Sequence, residues 1–144
     1  MTKARLDALT QATKLLAGRD KSRAQLRAAL LQRGYDDEET DAALQRAAEL
    51  GYLDDARVAE RKAREALDDG WAGEVLVAKL VAGGLEESVA QRAVDEVIAA
   101  TGWDALKAAR KLAEKRRLEG EKAARFLASR GFEEDVISRL VPVP

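Results

Sequence analysis

At 144 residues the chain has the length of one ordinary domain, and its 47% apolar content is that of a globular protein rather than a disordered one. It has no cysteine and no histidine. That removes disulfides, thiolate metal sites and cysteine nucleophiles, together with the commonest metal ligand and the commonest general base near neutral pH. The net charge of −1 shows no overall basic bias, and an aromatic share of 4% beside abundant alanine predicts a thin interior of closely packed helices.

The apolar residues recur at helical spacing almost throughout. Leu6, Leu9 and Leu16 mark one face of a first helix, which Gly18 ends. Ser22 and Gln25 read as a capping box opening a second helix with Leu26 and Leu30 on one stripe, stopped by Gly34. Asp36 caps a third, carrying Leu44, Ala47, Ala48 and Leu50 and ending at Gly51. Asp54 caps a fourth, with Ala56, Ala59, Ala63, Ala66 and Leu67 inward and Gly70 closing it. Further helices are expected over 72–83, 87–101, 104–118 (ending near Gly120), 121–130 and 133–140, with Pro142 and Pro144 terminating the last. No stretch alternates with period two. The expected fold is all-α, with nine helices joined by short turns.

The chain also repeats itself. Leu30, Leu80 and Leu127 each stand four residues before a glycine: Gly34, Gly84 and Gly131. Tyr35, Leu85 and Phe132 follow those glycines, and Leu44, Val94 and Val141 lie ten residues beyond them. In the preceding helices Leu6, Ala56 and Leu106 correspond, as do Leu9, Ala59 and Ala109. Three tandem three-helix units account for the chain: 1–51, 52–102 and 103–144, the last short at its C-terminal end. Such stacking predicts an elongated, curved helical array, and the three glycines suggest one sharp turn used three times.

Charge is segmented. Residues 1–35 carry eight basic and two acidic side chains, 36–104 carry seven and eighteen, and 105–130 carry nine and three. This order fits a surface that meets its partner in segments, or ordinary solvated helix faces. Arg57, Arg61 and Arg64 form one stripe, but Glu60 and Glu65 are interleaved with it, so a balanced face is the competing reading. On the equivalent later helix, Lys107, Arg110, Lys111 and Arg117 face away from Leu106, Ala109 and Ala113, with Lys115 at the margin. Lys122 and Arg125 extend the basic run, with Arg130 beyond them, so this region is expected to meet phosphate or an acidic protein. Arg116 falls on the apolar face, either snorkelling from a helix end or marking a repeat end left open for a partner.

The acidic run Asp36, Asp37, Glu38, Glu39 and Asp41 suits a helix N-terminus better than a calcium loop. Trp71, Trp103, Tyr35, Tyr52 and Phe132 sit at helix junctions and read as wedges rather than base-stacking platforms. No P-loop or cluster of metal ligands is apparent, so neither an enzyme nor a cofactor is expected. No apolar run approaches the ~18–20 residues of a membrane helix. The first twenty residues carry charge throughout and lack a signal-peptide core, so a cytoplasmic protein, monomeric by default, is expected.

Residues 20–67 resemble the RecX family of bacterial regulators of the RecA recombinase. The resemblance rests on Ser22, Leu26, Leu30, Arg33, Gly34 and Tyr35, then Leu44, and most specifically on the GYLDDARVA segment from Gly51, which contains Asp54, Asp55, Val58 and Ala59. It continues more weakly through Gly73, Leu76, Leu80, Gly84 and Leu85 into the third unit, where Leu127 and Gly131 stand. The chain departs from the family at Val75, where a basic residue often stands, and Val77 and Val81 beside it are also apolar. The resemblance implies a non-catalytic modulator, mainly an inhibitor, that binds the RecA nucleoprotein filament in its helical groove. It also implies association with single- or double-stranded DNA. A stand-alone helical DNA-binding module without a RecA partner is the alternative.

Overall fold

The computed structural model describes residues 6–142. Those residues form nine helices and no strand: α1 (Ala8–Gly18), α2 (Arg23–Gln32), α3 (Asp37–Glu49), α4 (Asp55–Asp68), α5 (Gly73–Ala82), α6 (Glu87–Thr101), α7 (Ala105–Arg116), α8 (Gly120–Ser129) and α9 (Glu134–Leu140). The chain divides into two compact units, residues 1–58 with 83–85 and residues 59–82 with 86–144.

Helix starts follow local side-chain chemistry. Ser22 and Gln25 form the capping box, with the Gln25 amide donating to Ser22 Oγ and the Ser22 amide to Gln25 Oε1, both at 3.1 Å. Asp7, Asp36, Asp54 and Asp104 each accept from the backbone amide three residues on, at 2.7, 2.7, 3.2 and 2.9 Å. Each cap satisfies an amide the helix cannot, worth ~0.5–2 kcal/mol. The hydrogen bonds from Thr10, its backbone amide first, hold the Asp7 carboxyl below the usual carboxylate range.

Helix ends share one device. Gly34, Gly84 and Gly131 have φ of 94°, 102° and 99°, so the three repeat positions share a left-handed glycine. At Gly34 the glycine amide donates to the Leu31 carbonyl and Tyr35 N–H to the Leu30 carbonyl; at Gly131 the partners are Ala128 and, for Phe132, Leu127. This is the Schellman pattern, in which the residue after the glycine packs on the residue four before it. It explains the recurring leucine and the apolar residue after each glycine. At Gly131 the backbone also passes so close to the Ala72 carbonyl that no Cβ fits, and the Ala72 amide donates to the Arg130 carbonyl at 2.9 Å.

In the first unit α1, α2 and α3 pack on one another. Their cluster comprises Ala8, Ala12, Leu16, Leu26, Leu30, Tyr35, Ala43, Leu44, Ala47 and Leu53. In the second unit α5 packs on α6, while α7, α8 and α9 pack together. The latter three enclose Ala109, Leu112, Leu127 and Phe132 with Ala72, joined by half-buried Trp103, Phe126 and Ile137.

Several inward positions differ from those expected. Leu6 precedes the Asp7 cap and is exposed; Ala8, Ala12 and Leu16 carry the buried face of α1. The caps align Ala12, not Leu9, with Ala59 and Ala109, and all three are fully buried. Three residues are close to one helical turn, so apolar periodicity alone does not distinguish the two alignments. Ala56 is exposed and Val58 buried; in α3, Ala48 and Leu50 are exposed while Thr40 and Ala43 are buried. Tyr52 is exposed rather than wedged. Gly120 opens α8 instead of ending α7, which stops with Arg117 in the left-handed region at φ 55°.

Candidate partner-binding surface

The cations of α4 are engaged within the chain. Arg57 pairs with Asp20 at 3.3 Å and donates to the Gly51 and Tyr52 carbonyls, so it clamps the turn before α4. Arg61 pairs with Glu65 at 3.2 Å and Arg64 with Glu60 at 3.1 Å. The interleaved glutamates thus balance the stripe, each exposed pair contributing only a few tenths of a kcal/mol. Beside Arg57, Asp54 caps α4, whereas the Asp55 carboxylate accepts from the Arg23 amide at 2.7 Å and so caps α2 from 32 residues away. Both aspartates of the GYLDD segment have structural work, and the second role was not legible from local sequence.

The cations of α7 and α8 differ. Lys107, Arg110, Lys111, Lys115, Arg117, Lys122 and Arg125 are all exposed, and among the described residues none forms an ion pair. The helix divides them. Lys107, Lys111 and Lys115, four apart, make one stripe. Arg110 and Arg117, seven apart, line a groove with Glu114 between them. Lys122 and Arg125 lie on α8 opposite buried Ala123 and Leu127.

The other basic side chains of this region rest on aromatic rings. Trp71 is held between Lys79 Nζ at 4.6 Å and the Arg130 guanidinium at 4.1 Å from its ring centre. Arg130 and Arg116 each lie 5.0 Å from the Phe126 ring centre. The result is a run Lys79–Trp71–Arg130–Phe126–Arg116, each contact worth ~0.5–1 kcal/mol at an exposed site. Arg116 is therefore seated on Phe126. Trp103 stacks on Phe132 with ring centres 6.3 Å apart. Periodicity gave no signal for this run, because its members come from three helices and two turns.

The groove beside Arg110 and Arg117 has a volume of about 550 Å³, with Ala113, Leu118, Ala123, Leu127, Leu140 and Val141 on its apolar wall. Eight residues before the repeat glycine, Leu26 and Leu76 are fully buried, whereas the matching residue here is Ala123. Aligning the three glycines exposes that difference in the sequence. Among the described residues, no three histidine, cysteine, aspartate or glutamate side chains are grouped to hold a metal, and no helix is long and apolar enough to cross a membrane.

A repeated helical triplet with a glycine turn, and with cations on its later helices that form no ion pairs, defines an all-α repeat protein with a charged face. A family model for the first three-helix domain of RecX matches residues 8–46. Regulatory protein RecX of Chromohalobacter salexigens is 36% identical over 128 residues, covering 85% of this chain and 82% of that protein. Its counterpart from Thermus thermophilus is 37% identical over 130 residues, covering 88% and 84%. The match to the Syntrophotalea carbinolica RecX, 35% identical, spans 65% of this chain and 61% of that protein. In fold, the crystal structure of RecX from Lactobacillus salivarius superposes with a TM-score of 0.72 at 17% identity, over 92% of this chain and 91% of that one. The chain belongs to the RecX family of regulatory proteins.

Proposed function

We propose that this chain is a non-catalytic modulator of the RecA recombinase, mainly an inhibitor, that binds the RecA–DNA filament along its helical groove. The observation that carries the reading is the unpaired cationic surface of α7 and α8, on a chain whose net charge is −1. Like charges held together without counter-charges repel one another, and a polyanionic partner relieves that repulsion. Membership of the RecX family supports the recombinase as the partner. Lys107, Arg110, Lys111, Lys115, Arg117, Lys122 and Arg125 make the principal contact. Arg57, Arg61 and Arg64 contribute only where a phosphate displaces Asp20, Glu65 or Glu60. The three repeat units, 1–51, 52–102 and 103–144, bind as a monomer without a cofactor.

The test is ATP hydrolysis by pre-formed RecA filaments on single-stranded DNA, measured with increasing amounts of this protein. Hydrolysis is expected to fall at or below one protein per recombinase. Unchanged hydrolysis at saturating protein, together with tight binding to bare DNA, overturns the reading in favour of a stand-alone DNA-binding module.

A further inference from the structure

The run Lys79–Trp71–Arg130–Phe126–Arg116 is not part of the repeated frame. Five residues before the repeat glycine stand Ala29, Lys79 and Phe126, and one residue before it stand Arg33, Gly83 and Arg130. The first repeat thus does without the ring, and the second without the arginine. The run also holds like charges together. Arg116 and Arg130 share the Phe126 ring, each 5.0 Å from its centre, so their charges lie within about a Debye length (~10 Å at 0.1 M salt) and repel. Lys79, Arg116 and Arg130 form no ion pair among the described residues. Asp68, Asp69 and Glu74 are exposed and close by in sequence, yet Asp69 gives Arg130 only its backbone carbonyl, at 3.2 Å. That hydrogen bond and the two rings fix the Arg130 guanidinium in place before any ligand arrives.

We propose that this run binds the phosphodiester backbone of a DNA strand, by its phosphates and not by its bases. Trp71 carries cations at 4.6 and 4.1 Å from its ring centre, and Phe126 carries two at 5.0 Å. The rings therefore act as rails that align charge, and they leave little open face on which a base could stack. A stacked guanidinium keeps its in-plane N–H donors, the geometry that recognises phosphate oxygens. Lys79 and Arg116, at the two ends, are exposed, whereas Trp71, Arg130 and Phe126 are half-buried. Three cations in file match a ligand whose charge recurs along a strand better than they match one compact anion. Ordering them in advance removes part of the entropic cost of binding. The proposal rests on the filament reading for the identity of the strand. It adds a second contact, apart from the lysine stripe of α7, that ignores base sequence.

Trp71 is itself a reporter. The chain has two tryptophans, and Trp103→Phe leaves Trp71 alone while keeping an aromatic ring against Phe132. In that variant of the full chain, oligothymidine is expected to change Trp71 emission saturably at low salt. An abasic strand of the same length should do so with the same affinity, since no base is read. Lys79→Gln combined with Arg116→Gln should weaken binding of both strands by about tenfold or more, and lower the salt slope by about 0.7 for each phosphate no longer neutralised. Arg130 stays intact in this test because it also braces the turn at Asp69. Arg116→Lys in place of Arg116→Gln should recover part of the slope. The proposal is overturned if no strand binds, or if a saturating strand, followed by the anisotropy of a labelled end, leaves Trp71 emission unchanged. It is overturned equally if the double variant binds with the parent's affinity and salt slope. An abasic strand that binds far more weakly would assign the rings to base stacking and sink the backbone reading. Oligoglutamate of matched charge binding more tightly than the strand would assign the run to an acidic protein instead. No recombinase is present, so each of these failures is distinct from a failure of filament inhibition, which the hydrolysis assay reads.

Discussion

Thr40 is fully buried on α3, and its hydroxyl has no hydrogen-bond partner among the described residues. Six residues after the other two repeat glycines stand Ala90 and Ile137, both apolar. An unsatisfied buried hydroxyl costs ~1–3 kcal/mol, and an isosteric apolar residue removes that cost. Thr40→Val is therefore expected to raise the thermal unfolding midpoint by several degrees, corresponding to ~1 kcal/mol; an unchanged or lowered midpoint in differential scanning calorimetry contradicts this account. The GYLDD segment shows what a residue reveals in one dimension. Asp54 was legible as a cap because its partner amide lies three residues on. Asp55 was not, because the amide it caps belongs to Arg23, and only packing brings the two together.

At the scale of single helices the sequence was an accurate guide. Caps and Schellman turns are made within six residues, so the capping box at Ser22, the caps at Asp36 and Asp54, and the glycine stops at Gly34 and Gly131 could be placed before any tertiary contact was known. Which face turns inward was harder. Leu6, Ala56 and Leu50 have the apolar character of core residues and lie outside it, while Ala12, Val58 and Thr40 lie within. The two basic helices separate for a related reason. On α4 the pairs Glu60–Arg64 and Arg61–Glu65 neutralise the stripe, whereas the lysines of α7 form no ion pair among the described residues. Replacing Lys107, Lys111 and Lys115 by glutamate is therefore expected to weaken filament inhibition at least tenfold with the fold intact. If those lysines meet phosphates, the salt slope of binding should fall by about 0.7–0.9 for each phosphate no longer neutralised. Unaltered inhibition with unaltered salt dependence would remove the lysine stripe from the binding surface.

Across the molecule the buried residues form separate clusters. Leu30 belongs to that of α1–α3 and Leu127 to that of α7–α9, each fully buried. Leu30→Ala is expected to cost ~2–5 kcal/mol, the range for large-to-small changes in a packed core. Leu127→Ala is expected to fall in the same range, because Leu127 is as fully buried as Leu30. Native-state hydrogen exchange should show reduced protection first in residues 8–50 for the former and 105–140 for the latter. Equal losses everywhere in both variants would show that the clusters do not act as local units.

The sequence by itself determined the helices, their ends, the threefold recurrence and the family, because each depends on contacts within a few residues or on a pattern repeated along the chain. Only the tertiary structure decided that Arg57 pairs with Asp20, which aspartate caps a distant helix, how Arg130 bridges Trp71 and Phe126, and that a groove opens beside Ala123. Those facts depend on which surfaces meet when residues tens of positions apart are packed together, and the spacing of residues along one helix does not encode that meeting.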